Sequence, residues 1–193
     1  MTIRCFIAIE LDQDIRGELA QLQKHLRKKL PGNESSITWV NPDHIHLTLK
    51  FLGEVADPLV PEICTAVSAA AAQCAPFDIE IGNLGCFPPH RPARVLWVGI
   101  RNGQDDLAAL AEAVDIYLSE LDFPPENRKF SAHLTLARIK HENAGRATRN
   151  VVEKTDPFTF GSQSVTALTL FQSQLTPRGS IYTPLHYASL TSD

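Results

Sequence analysis

The sequence predicts an α+β fold built mostly from antiparallel β-sheet. Hairpin-length links alternate with helical links between short apolar runs, whereas a doubly wound parallel sheet needs helical crossovers throughout. The tetrapeptide His-Leu-Thr-Leu occurs twice, at residues 46–49 and 133–136, each time in a predicted strand downstream of a helix. This repetition indicates a duplicated unit. The sequence contains no glycine-rich phosphate-binding loop.

Short apolar or alternating runs, bounded by Gly, Pro or Asn, predict the strands. In chain order they cover residues 3–10, 37–40, 45–52, 77–84, 94–100, 133–139, 158–160, 164–171 and 181–190. Gly53 is expected to stop the third strand, and residues 175–180 to form a hairpin turn before the last. The proline-rich residues 86–92 are predicted to form a rigid loop.

Apolar residues at helical spacing predict three helices. The first follows Asp12 as its N-cap and ends at Pro31-Gly32. The second is opened by two prolines and runs to about Cys74, and the third covers about 104–121. The polar residues 141–150 are interpreted as a loop that enters a short helix.

Composition limits the possible functions. With a net charge of −4 and 44% hydrophobic residues, the chain is globular and has no global attraction for a polyanion, so any contact with nucleic acid must be local. The N-terminal apolar run is too short for a signal peptide, and no stretch has the length of a membrane span. The four cysteines form no C-x-x-C pair, so a cytoplasmic protein with reduced thiols is expected, without membrane contact.

The repeated tetrapeptide contains the side chains that are candidates for catalysis. Side chains alternate between the two faces of a strand, so each copy presents His and Thr on one face and two leucines on the other. An imidazole titrates near neutral pH, and a hydroxyl donates a hydrogen bond. Two such pairs facing each other would supply an acid, a base and two hydrogen-bond donors for an oxyanion.

The residues around the two tetrapeptides resemble the 2H phosphoesterases, and more closely the bacterial and archaeal RNA 2′,3′-cyclic phosphodiesterases, also described as 2′-5′ RNA ligases. The resemblance includes the H-x-T-x motifs with Lys50-Phe51-Leu52-Gly53 and Ala137-Arg138 after them, and it extends over the whole chain. It implies a single bilobal domain over residues 1–193, with two pseudo-symmetric lobes, helices outside and a central cleft. It also implies hydrolysis of a 2′,3′-cyclic phosphate at an RNA end to a 2′-phosphate, with no metal and no cofactor.

From the resemblance, His46 is assigned as the proton donor to the leaving 3′-oxygen and His133 as the proton acceptor from water. Thr48 and Thr135 would donate to the non-bridging oxygens, whose charge must be stabilised. The sequence alone does not orient the pair of histidines, because the site is nearly symmetric.

Three further residues are candidates for substrate binding. Arg138 would contact the phosphate, but strict alternation places it on the face opposite His133, so it needs a bulge; a surface salt bridge is the alternative. Tyr182 and Phe51 would stack on a base, or else belong to the core. His44 is interpreted as a residue of the cleft rim.

Three other functions remain open: a zinc hydrolase, a module that only binds RNA ends, and 2′-5′ ligation as the reverse reaction at the same site. No H-E-x-x-H motif or carboxylate at ligand spacing accompanies either tetrapeptide, which argues against zinc. Binding alone does not need two titrating groups. The partner is expected to be an RNA or nucleotide with a cyclic phosphate, and the protein a monomer.

Overall fold

The computed structural model describes residues 1–30, 36–126, 129–176 and 179–191. The strands in this part of the chain are β1 (Thr2–Ile9), β2 (Ile37–Trp39), β3 (Leu47–Ala56), β4 (Phe77–Phe87), β5 (Val95–Asn102), β6 (His133–Ile139), β7 (Thr159–Val165), β8 (Ala167–Thr176) and β9 (Gly179–Ser189). The α-helices are α1 (Gln13–Lys29), α2 (Val60–Ala71), α3 (Gln104–Ser119) and α4 (Glu142–Glu153). None of these helices is long and apolar enough to cross a membrane.

The strands form one sheet in which every described pair is antiparallel, and this confirms the predicted fold class. Strands β3 and β6 are neighbours at its centre and are registered through the pair Leu47 and Leu134, here called the seam. Strand β6 contains the whole second tetrapeptide, whereas β3 begins at Leu47, one residue after His46. Outward from the seam, the order is β3-β1-β8-β9 in the first half-sheet and β6-β5-β4-β7 in the second. The two lobes that the resemblance implies correspond to these half-sheets.

The two faces of the sheet have different environments. Leu19 of α1, Ile63 of α2 and Leu107 of α3 share one buried cluster, the main core, with Leu47 and Leu134 of the seam. A second, small cluster contains Phe6, Ala8 and Phe171, with Tyr182 packed against it. Because alternate residues of a strand point to opposite faces, β1 contributes to the main core and to the opposite face in turn. The helices that join the main core therefore leave the opposite face of the sheet open.

Two expectations about strands are wrong. Gly53 does not stop β3, which continues to Ala56, because the glycine adopts a φ of +72° beside a register shift and the ladder with β1 resumes after it. The run 164–171 is two strands, because β7 pairs with β4 in the second half-sheet whereas β8 pairs with β1 in the first. The chain crosses between the half-sheets at Thr166, and no Gly, Pro or Asn marks the break in the run 164–171.

Other boundaries move by a few residues. Strand β4 extends to Phe87 and takes the first residues of the predicted loop, and α3 ends at Ser119. The polar segment 141–150 forms most of a three-turn helix, α4, whose apolar face includes the buried Ala144. The predicted stop at Pro31-Gly32 and the turn at Pro177-Arg178 lie outside the described residues.

Gly103, between β5 and α3, has a backbone conformation and a close contact that only glycine fits, and this can be tested by substitution. Its φ is +81°, and a Cβ there would lie 2.5 Å from the carbonyl oxygen of Asp78. We expect Gly103→Ala to lower the free energy of unfolding by more than about 1 kcal/mol. Gly17→Ala is the matched control, because Gly17 lies inside α1 with open space around it, and this change should raise stability by about 0.5–1 kcal/mol. Urea denaturation of both variants measures the difference, and equal effects would contradict this account.

Candidate active site

A cleft of about 570 Å³ lies over the seam on the open face of the sheet. The residues that line it include His46, Thr48, His133, Thr135, Arg138, Phe51, Tyr182, His44, Arg4, Phe6 and Ser173. Every residue that the sequence suggested for catalysis or substrate binding therefore borders one cavity. His44 borders it as well, as expected of a rim residue.

The pairing at the seam sets the relative positions of the four motif residues. Because β3 and β6 are antiparallel with Leu47 opposite Leu134, one further step in either direction places His46 opposite Thr135 and Thr48 opposite His133. Both leucines are fully buried, so the four polar side chains lie on the other face. The two histidines are diagonal neighbours, and the Cα atoms of diagonal neighbours in an ordinary antiparallel ladder are about 7–8 Å apart. That separation leaves room for a phosphate between them.

Both histidines are oriented in the same way by a carbonyl two residues earlier in the chain. The Nδ1 atom of His46 donates to the carbonyl oxygen of His44 at 2.8 Å, and the Nδ1 atom of His133 donates to that of Ser131 at 2.7 Å. A carbonyl oxygen only accepts, so Nδ1 carries a proton in each ring. The Nε2 atoms are therefore left to accept a proton from a ligand when neutral, or to donate one when protonated.

His46 lies in an aromatic environment. Its ring stacks on Phe6 with the centroids 4.7 Å apart, and Tyr182 meets it edge-on at 5.2 Å. Burial of the imidazole among these rings lowers the pKa of His46 from 6.5 to about 4. The neutral form of His46 is therefore favoured near pH 7.

His133 has a comparable aromatic neighbour from the second half-sheet. Phe87 meets its ring edge-on at 5.1 Å, and the ring of Trp97, on the adjacent strand β5, lies 6.2 Å away. Each catalytic candidate is thus supported by its backbone carbonyl and by at least one aromatic ring, which restricts the rotation of both imidazoles.

A bulge lies at the last residue of each tetrapeptide. The register shifts so that Leu49 is skipped in the ladder of β3 with β1, and Leu136 is skipped in the ladder of β6 with β5. Leu49 and Lys50 are consequently both buried, as are Leu136 and Ala137. Alternation resumes one residue later, so the fifth residue after each histidine returns to the cleft face. These residues are Phe51 and Arg138.

Arg138 needs a bulge to reach the cleft, as the sequence indicated, and the second bulge turns this residue to the cleft face. Gln23 of α1 is 3% exposed, and its Nε2 donates to the carbonyl oxygens of Leu136 at 3.0 Å and Val40 at 2.8 Å. The carbonyl oxygen of Leu136 also accepts from the backbone N–H of Val40 at 2.9 Å, so Gln23 adds a second donor and links the bulge to α1. Arg138 is exposed and, within the described residues, forms no salt bridge, so its guanidinium remains available to a ligand.

Arg4 and Phe6 are among the cleft residues that sequence reasoning missed. Both lie on β1, which pairs with β3, and both point to the cleft because they alternate with the residues of the main core. Alternation within the first strand could have indicated their shared face, but only the pairing of β1 with β3 places that face beside His46. In the part of the chain that is described, no group of three or more His, Cys, Asp or Glu residues is arranged to hold a metal ion.

The lowered pKa of His46 predicts how stability depends on pH. Between pH 6.5 and about 4, the unfolded chain binds a proton at this residue that the folded chain does not, so stability is lost as the pH falls. The contribution is up to about 2 kcal/mol between pH 7 and pH 5. Urea denaturation of the wild type and of His46→Asn at both pH values should show a smaller pH-dependent loss in the variant. Equal losses in both proteins would contradict the burial of a neutral imidazole.

Comparison with known proteins agrees with this architecture. The family model "LigT like Phosphoesterase" matches residues 9–97 and again residues 98–182. Each matched segment contains one copy of the tetrapeptide, as a duplicated unit requires.

The similarity covers nearly the whole chain. A protein of Archaeoglobus fulgidus named RNA 2′,3′-cyclic phosphodiesterase is 36% identical over 95% of this chain and 98% of its own, and one of the same name from Aeropyrum pernix is 36% identical over 91% and 97%. A solved structure from Thermus thermophilus has a TM-score of 0.79 at 28% identity, covering 97% of this chain and 98% of that one. E. coli LigT in complex with 3′-AMP has a TM-score of 0.74 at 27% identity, covering all of both chains. The chain therefore belongs to the LigT-like phosphoesterase family, among the 2H phosphoesterases that its two motifs resemble.

Proposed function

We propose that this protein hydrolyses the 2′,3′-cyclic phosphate at an RNA 3′ end to a 2′-phosphate, without a metal ion. The observation that carries the proposal is the pairing of two His–Thr units across the seam, each with its histidine Nε2 free for a ligand. The names of the relatives support RNA cyclic phosphate as the substrate class. Because the cleft takes residues from both half-sheets, we propose that residues 1–193 act as one domain.

The arrangement suits in-line displacement at phosphorus. One imidazole removes a proton from water as the water oxygen bonds to phosphorus, and the other gives a proton to the ribose 3′-oxygen as its bond to phosphorus breaks. The diagonal placement of the histidines puts them on opposite sides of a phosphate bound over the seam. Thr48 and Thr135, each opposite a histidine, donate to the non-bridging oxygens, on which charge is stabilised in the transition state.

We assign His46 as the proton donor and His133 as the proton acceptor, as the family resemblance implies. Because its pKa is about 4, His46 must gain its proton when substrate binds. A phosphodiester anion beside the ring favours the charged imidazolium and opposes the effect of burial. In this proposal, the negative charge of the bound substrate raises the pKa of His46, so that binding itself protonates the general acid.

The proposed substrate contacts have complementary chemistry. Arg138 donates to phosphate oxygens as a planar guanidinium, and Arg4 adds a second positive charge to the cleft. Phe51, which is 58% exposed, and Tyr182 offer aromatic surfaces for the terminal base. Phe51 belongs to neither buried cluster and borders the cleft, which favours ligand contact over a place in the core.

The alternatives have less support. Ligation is the reverse reaction at the same site, but the relatives carry the name of the hydrolase. A module that only binds RNA ends does not require two histidines oriented alike. A monomeric state and a cytoplasmic location are part of the proposal, and the four free thiols are compatible with a reducing compartment.

Hydrolysis without metal is tested directly with an RNA that ends in a 2′,3′-cyclic phosphate. We expect complete conversion to the 2′-phosphate in the presence of EDTA, at the rate measured without it. Product identity is read by chromatography against both monophosphate standards, with a known metal-dependent phosphodiesterase as the control for chelation. Loss of activity with EDTA, or a 3′-phosphate product, would reject the proposed reaction.

The two histidines are tested by substitution. We expect His46→Ala and His133→Ala each to lower kcat by about 10²–10⁴-fold or more, because each removes a proton-transfer step. His25→Ala is the control, since His25 is exposed on α1 and lies outside the cleft. Circular dichroism should show all three variants folded. Near-normal turnover by either motif variant would remove the two-histidine mechanism.

A further inference from the structure

A second groove, of about 600 Å³, opens beside the cleft. Its walls include Phe51, Phe87, Phe130, Pro88, Arg94 and Lys129. Its volume lies within the range of pockets that hold small ligands. The reaction proposed above needs only the cleft, so this groove has no role in that chemistry.

The groove adjoins the cleft. Thr48, Phe51 and His133 border both cavities, so a ligand that extends out of the cleft past these residues reaches the groove. Phe51 separates the two spaces as an exposed ring on the rim of each. An aromatic ring in this position can carry one base on its cleft side and another on its groove side.

The lining of the groove is aromatic and locally basic. Phe51, Phe87 and Phe130 provide three rings, whereas Arg94 and Lys129 outnumber the one carboxylate present, that of Glu126. In the described chain neither cation is paired with a carboxylate, although Arg94 donates one hydrogen bond to the carbonyl oxygen of Lys140. In a protein of net charge −4, this concentration of positive charge is local.

We infer that the second groove binds the nucleotide that precedes the cyclic phosphate terminus, so that the preferred substrate is an oligoribonucleotide. This inference rests on the proposed function. The terminal ribose is fixed by its phosphate between the histidines, so the rest of the strand must leave the cleft through a neighbouring opening. Aromatic rings with interspersed cations are the usual surface for single-stranded RNA, where bases stack on the rings and phosphates meet the charges.

The test compares cytidine 2′,3′-cyclic phosphate with a trinucleotide that ends in the same cyclic nucleotide. We expect the wild type to show a kcat/KM about ten-fold higher for the trinucleotide. Phe130→Ala should remove most of this advantage and leave kcat/KM for the mononucleotide unchanged. Lys129→Glu, a change at an exposed residue that does not endanger folding, should likewise lower kcat/KM for the trinucleotide alone and reduce its dependence on salt.

Phe160→Ala is the matched control. Phe160 is half-buried and packs against the main core as Phe130 does, but it lies outside the groove, so its loss should leave the preference for the trinucleotide intact. Equal kcat/KM for the two substrates in the wild type, or equal slowing of both by Phe130→Ala and Lys129→Glu, would overturn the inference alone. A wild type that hydrolyses neither substrate would overturn the proposed function and this inference with it.

Discussion

The structure depends on the antiparallel pairing of two identical tetrapeptides at the centre of the sheet. Leu47 and Leu134 meet in the main core, where neither side chain is accessible to solvent. Burial of one leucine side chain contributes about 1.5–3 kcal/mol. A slip of either strand by one residue would turn its leucine to the cleft and its His–Thr pair into the core. The hydrophobic effect on one face of the seam therefore fixes the register of the polar groups on the other.

The duplication is not exact, and its differences fit the asymmetry of the substrate. After each bulge the residue that returns to the cleft is Phe51 on one side and Arg138 on the other, which are suited to a base and to a phosphate respectively. The residue before it is Lys50 in one copy and Ala137 in the other, and both are buried. Lys50 is tolerated there because its Nζ donates to Asp115 and, at 2.8 Å, to the carbonyl oxygen of Pro124.

Sequence patterns predicted the features that depend on local periodicity. The alternation in the tetrapeptides placed His46 with Thr48, and His133 with Thr135, on one face of each strand, and both of these faces line the cleft. The bulges were not predictable, because Leu49-Lys50 and Leu136-Ala137 obey no alternation and only the register with neighbouring strands reveals the skipped residue. Features that depend on distant parts of the chain escaped prediction for the same reason. Strands β7 and β8 pair with strands of different half-sheets, and the neighbours of a strand are set by packing over the whole sheet.

The same aromatic packing that positions His46 also determines its electrostatics. Stacking on Phe6 excludes water from one side of the imidazole, which keeps the ring neutral when the cleft is empty and avoids burying a charge without a partner. Coulombic repulsion from His44 and Arg16 adds to the effect of burial and also lowers the pKa of His46. A bound phosphate opposes both effects, because its negative charge gives an imidazolium an anionic partner. Protonation of His46 and binding of the anion are therefore coupled, and each favours the other.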